Sequence, residues 1–119
     1  MRNLIRAIKA LSDETRLRIL RVLMEKDCCV CELTQALDIS QSRASRNLSI
    51  LENAGFVKSK RDGLWTVHFI DIKEAEKYYK TLVETVKDAL EGNDLVALDL
   101  QRLNKAVRVG LTNVKQTQR

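Results

Sequence analysis

Residues 40–63 read SQSRASRNLSILENAGFVKSKRDG. The first half keeps a helical period, with Ala44, Leu48 and Leu51 at i, i+4 and i+7 turned inward. Gln41, Ser42, Arg43, Ser45, Arg46 and Asn47 are left as a polar face near the start of that helix, about 41–53. Asp38-Ile39-Ser40 is a tight turn, Ser40 is an N-cap residue, and Gly55 suits a left-handed C-terminal position. The period then drops from 3.6 to 2. Residues 56–60 and 64–69 alternate as two strands, and Arg61-Asp62-Gly63 between them is a hairpin turn signal.

A short helix carrying Val30, Leu33 and Leu37 precedes the turn, so two short helices and a turn form a helix-turn-helix over about residues 30–53. The hairpin, 56–69, is its wing. Upstream, Leu4, Ile5, Ile8 and Leu11 mark a helix over 2–11, and Ser12 is the expected N-cap of a second helix that ends near Met24. Downstream, a long amphipathic helix is expected at 73–91 and another pattern at 94–108, broken apart by Gly92-Asn93. The expected order is α-α-α-α-β-β-α-α: a mainly α winged helix-turn-helix with a small β-hairpin. Residues 1–108 form one domain, and 109–119 a polar tail.

A chain of 119 residues builds one small core, and a partner subunit would help bury its surface. With 45% hydrophobic and 31% charged residues the chain is not globally disordered. No apolar run approaches the ~20 residues of a membrane span, and the N-terminus lacks a signal-peptide core, so a cytoplasmic protein without a membrane partner is expected. Enzyme chemistry has little to stand on: His68 is the one histidine, and no Gly-rich phosphate loop or nucleophile elbow occurs. Residues 40–61 carry a net +4 between blocks of −2 and −4. Such a basic block on a near-neutral domain suits a polyanion. Arg reads guanine bidentately, Asn and Gln read adenine, and small Ser42 and Ser45 let a helix lie deep in the major groove. Lys58, Lys60 and Arg61 at the hairpin would reach the backbone of the next groove. The expected partner is double-stranded DNA.

The second unusual feature is Cys28, Cys29 and Cys31 within four residues. In a reducing compartment they are no disulfide framework. Three thiolates at a helix N-terminus suit a three-coordinate soft ion, which points to trivalent arsenic or antimony, since structural zinc takes four ligands. Each Cys could instead be a small buried hydrophobe. Closely spaced thiols can also act as an oxidation or persulfide sensor through a Cys28–Cys29 or Cys28–Cys31 bond. A Cys-x-x-Cys oxidoreductase is disfavoured because no βαβ pattern surrounds it.

Residues 10–20 (ALSDETRLRIL), 40–51 (SQSRASRNLSIL), Ala54-Gly55-Phe56-Val57 and the Arg61-Asp62-Gly63 hairpin together resemble the ArsR/SmtB family of winged-helix repressors, over about residues 4–91. Glu14 and Asn47 stand where the family often has Pro and His. The resemblance implies a homodimer joined through its terminal helices, 2–11 and 73–108, with two recognition helices on a palindromic operator. The first and last helices also carry more apolar surface than one small core needs. Cys29-Val30-Cys31-Glu32-Leu33 resembles the cysteine box of arsenic-responsive members. Their third thiolate falls at Thr34 here, leaving Cys28 as the substitute ligand. Cadmium- and lead-sensing relatives use an N-terminal Cys that residues 1–27 lack, and zinc-sensing relatives use His on a helix that has none here. The expected activity is repression relieved by arsenic or antimony at Cys28, Cys29 and Cys31. A redox- or persulfide-sensing repressor, or one responsive to cadmium or lead, is the alternative.

Overall fold

The computed structural model describes residues 1–109. Its elements are α1 (Arg2–Leu11), α2 (Glu14–Glu25), β1 (Cys28–Cys29), α3 (Val30–Leu37), α4 (Gln41–Asn53), β2 (Val57–Asp62), β3 (Trp65–Ile70), α5 (Lys77–Ala89) and α6 (Asp94–Lys105). The winged helix-turn-helix order is the expected one with β1 added. β1 pairs antiparallel with β3, Cys28 opposite His68 and Cys29 opposite Val67, so the sheet order is β1-β3-β2. A strand of two residues shows no period in sequence. Its effect is to stitch the cysteine segment directly to the wing.

The core joins Ile19, Leu20 and Leu23 of α2, Leu33, Ala36 and Leu37 of α3, and Leu48 and Leu51 of α4 around Phe56. Asp38 takes a left-handed conformation (φ 55°) between α3 and α4, and Ser40 caps α4 by accepting from the Arg43 N–H at 3.2 Å. Gly55 follows α4 at φ +94°. A Cβ there would stand 3.1 Å from Tyr79 Oη, and Tyr79 itself donates to the Ala54 carbonyl at 2.7 Å. Gly55→Ala is therefore expected to cost about 1–3 kcal/mol, from the positive φ and the displaced Tyr79 together, read as a lower urea midpoint at unchanged slope.

Several boundaries differ from the sequence reading. Ser12 does not cap α2: Asp13 does, accepting from the Arg16 N–H at 3.1 Å, while the Ser12 hydroxyl donates to Lys9 O at 2.8 Å and closes α1. α5 begins at Lys77, because residues 71–76 form a turn in which Asp71 accepts from the Lys73 N–H at 3.4 Å. The hairpin register puts Asp62 opposite Trp65, so Gly63-Leu64 is the turn and Arg61 and Asp62 belong to β2. α6 stops at Lys105, and residues 106–109 cross α3 and the wing instead of continuing the helix. Gln35 exchanges two hydrogen bonds with Val107, and Trp65 Nε1 donates to Val109 O at 3.1 Å. Residues 110–119 of the expected polar tail lie outside the described residues. Among those described, no helix is long and apolar enough to cross a membrane.

Candidate functional site

α4 presents Gln41, Ser42, Arg43, Arg46, Ser49 and Ile50 to solvent, with Ser45 half-buried. Asn47 is not part of that face. It is buried, its Oδ1 accepts from Arg16 Nη1 at 3.1 Å, and its amide donates to Arg43 O at 2.9 Å. Arg43 is partly committed as well, donating to Thr15 Oγ1 at 2.6 Å. These bonds fix the angle of α4 against α2. Arg46 has no ion pair among the described residues and is the cation best placed on the exposed face.

On the wing the three expected cations divide. Lys58 stands 3.5 Å from Asp71, and Lys60 stands 3.7 Å from Asp27 with its ammonium 4.9 Å from the centre of the Phe69 ring. Strand alternation puts Arg61 on the opposite face, where it has no ion pair among the described residues. Lys58, Lys60 and Arg61 lie along β2, and the tip itself is Gly63-Leu64.

The cysteines also divide. Cys29 is the N-cap of α3 and Cys31 sits in its first turn, so the chain bends back and brings the two sulfurs together as a disulfide, with Cα atoms 5.4 Å apart. Cys28 does not join them. Successive strand residues point to opposite faces, and the Cys28 thiol is fully buried with Sγ 3.2 Å from Lys26 O. Among the described residues no group of three His, Cys, Asp or Glu is placed to hold an ion. Of the three expected ligands, the structure brings Cys29 and Cys31 together and sets Cys28 apart. The bond is also neither of the two pairings that spacing suggested. Burial, reinforced by the Glu32 charge, pushes the Cys28 thiol from 9.0 up to about 12. In the folded protein at pH 8, reduced Cys31 is expected to take iodoacetamide while Cys28 and Cys29, both buried, stay unlabelled until urea is added. The same shift works against the fold in alkali. Above pH 9 the unfolded thiol loses a proton that the folded one keeps, so stability should fall between about 9 and about 12.

Glu32 anchors this turn. Its carboxylate accepts from the Cys29 N–H at 3.1 Å and meets Lys26 Nζ at 2.6 Å and Arg108 Nε at 3.1 Å. Burial pushes its carboxyl up, but Lys26, the Cys29 N–H and Arg108 together hold it below the usual range. Arg108 also reaches Asp62 on β2 at 2.7 Å, joining the cysteine turn to the wing. Sequence reading gave Glu32 and Arg108 no role, because their spacing of 76 residues carries no local signal. His68 lies in β3, within the strand expected over 64–69. Burial lowers its pKa, and its Nδ1 has no hydrogen-bond partner among the described residues.

The model of the arsR family of bacterial regulatory proteins matches residues 13–59, the span from the α2 cap to β2. An arsenic resistance transcriptional regulator of Pseudomonas putida is 38% identical over 68% of this chain and 63% of its own length. The match thus spans less than two thirds of that relative. An uncharacterised HTH-type transcriptional regulator of Methanocaldococcus jannaschii is 41% identical over 52% of this chain and 71% of its own length. A cadmium resistance regulatory protein homologue of Staphylococcus aureus is 35% identical over 66% of this chain and 63% of its own. Among solved structures, a homodimeric winged helix-turn-helix DNA-binding domain of Mycobacterium bovis superimposes with a TM-score of 0.63 at 26% identity, over 77% of this chain and 82% of that one. Fold, motif and relatives agree, and the chain belongs to the arsR family of bacterial regulatory proteins, with a winged helix-turn-helix fold.

Proposed function

We propose that the protein is a homodimeric repressor that grips operator DNA through α4 and the wing, and that trivalent arsenic or antimony bound at Cys29 and Cys31 releases it. The observation that carries this reading is the position of the thiol pair. It caps α3, whose Leu33, Ala36 and Leu37 pack in one cluster with Leu48 and Leu51 of α4. Through β1 it is also hydrogen-bonded to the wing strand. Any ligand that redraws this turn acts on both DNA-reaching elements at once.

Two thiols can take arsenite without a third sulfur. Arsenous acid condenses with both, releasing two waters and leaving one hydroxyl on arsenic, which keeps its three-coordinate geometry. Sulfur counting by X-ray absorption should accordingly find two neighbours. The dimer reading rests on exposed apolar side chains of the terminal helices, Leu4 and Ile8 on α1 with Leu95 and Leu98 on α6. Their burial would supply ~25 cal/mol per Å² of apolar surface.

One observation supports a second reading. Because Cys29 and Cys31 are disulfide-bonded in the structure, the same turn could be switched by oxidation. Gel shifts on a duplex selected by the protein from a random library separate the two. Release by arsenite under reducing conditions, with no effect of peroxide alone, supports the metalloid. Release by peroxide with indifference to arsenite supports the thiol switch. Failure to select any duplex would overturn the repressor itself.

A further inference from the structure

α1 carries three stripes. Ala7 and Ala10 are buried against the domain, and Leu4, Ile8 and Leu11, at i, i+4 and i+7, form an aliphatic stripe to one side. Arg2, Arg6 and Lys9, at the same spacing, form a cationic stripe to the other. All three cations are exposed, and none has an ion pair among the described residues. They line a cleft of about 390 Å³ with Ile5, Arg16 and Ile50. Arg16 is fixed in place: its guanidinium donates to Ala10 O at 2.7 Å, Lys9 O at 3.3 Å and Asn47 Oδ1 at 3.1 Å. Those acceptors are uncharged, and the nearest carboxylate, Asp13, is 3.9 Å away and already accepts from the Arg16 N–H. Ile50 belongs to the exposed face of α4, one turn beyond Arg46. The cationic stripe therefore continues the surface that the recognition helix offers.

We propose that this cleft is a second DNA contact, in which Arg2, Arg6 and Lys9 follow the sugar–phosphate backbone flanking the groove that α4 reads. The proposal rests on the DNA-binding reading above and adds a surface that neither the helix-turn-helix nor the wing supplies. The scale fits. From Arg2 to Lys9 the helix rises about 10 Å at 1.5 Å per residue, long enough for its cations to reach successive phosphates of one strand. The cleft bears no carboxylate to repel them, and side chains on one helix stripe read charge, not sequence.

The test is the salt dependence of binding to the selected duplex. The full chain is compared with Arg2→Gln/Arg6→Gln/Lys9→Gln and with a charge-matched control on α5, Lys77→Gln/Lys80→Gln/Lys87→Gln. Each phosphate contact contributes a slope of about 0.9 in log K against log salt. The α1 variant should bind at least about tenfold more weakly near 0.15 M salt, with a shallower slope and the same sequence preference, while the control keeps the wild-type slope. Arg6→Gln alone should show part of the effect, which separates it from misfolding of the triple variant. Equal slopes for the α1 variant and wild type overturn the proposal and leave the DNA reading intact. A shift in sequence preference overturns it too, since a backbone contact cannot cause one. A wild-type chain that selects no duplex overturns both.

Discussion

Replacing Asp99 with Ala should lower stability by about 3–5 kcal/mol, more than any other polar substitution in the domain, because it leaves a buried guanidinium without its counter-charge. Asp99 has no exposed surface. It accepts from Arg18 at 2.9 and 2.8 Å and from Arg102 at 3.0 Å. The same arginines satisfy the carbonyls at the end of α3, Arg18 that of Leu37 at 2.9 Å and Arg102 that of Ala36 at 2.7 Å. The hydrogen bonds that Arg18 donates to Asp99 outweigh burial and keep it more firmly protonated than a free arginine. One carboxylate thereby pins α2, α3 and α6 together. Urea unfolding measures the cost directly, and Arg18→Met/Asp99→Leu should recover most of it, since filling the space with apolar atoms removes the unpaired charge. A loss below about 1 kcal/mol would mean the pair behaves as a solvated surface bridge.

The second large effect concerns signalling. Cys29→Ser/Cys31→Ser should fold, bind the selected duplex within about threefold of the reduced wild type, and ignore arsenite. The hydroxyls keep the size of the thiols but are hard donors that arsenic does not hold. In the wild type, arsenite should weaken DNA binding by about 5- to 150-fold, the span of ordinary allosteric coupling. Cys28→Ser should leave that response in place, because Cys28 sits on the other face of β1 behind the sheet. Retained release in the double variant, read by gel shift, would remove the pair from the mechanism.

Much of this was legible in sequence, and the limits have physical causes. Helix periods placed α1 to α4 to within a residue or two, and the change of period at Gly55 announced the wing. Local chemistry misled where two residues competed for one role. Ser12 and Asp13 are both good caps, and the choice between them was settled by the Arg16 N–H. The polar face of α4 was correct except at Asn47, whose amide suits a base edge and an arginine equally well; only its burial against α2 decides. The cysteine cluster was visible, but three sulfurs near in sequence need not be near in space. A two-residue strand sets Cys28 and Cys29 on opposite faces, and no pattern of that length can be read in advance. Contacts spanning many residues, such as Arg18 with Asp99 and Glu32 with Arg108, left no local trace at all.

Release by arsenite is competition between the thiol pair and DNA, and linkage makes that competition measurable from the other side. Arsenite affinity should be determined for the reduced wild-type protein alone and when saturated with its selected duplex. The predicted result is that DNA weakens arsenite binding by the same factor by which arsenite weakens DNA binding. Identical arsenite affinity in the free and DNA-bound protein would contradict it.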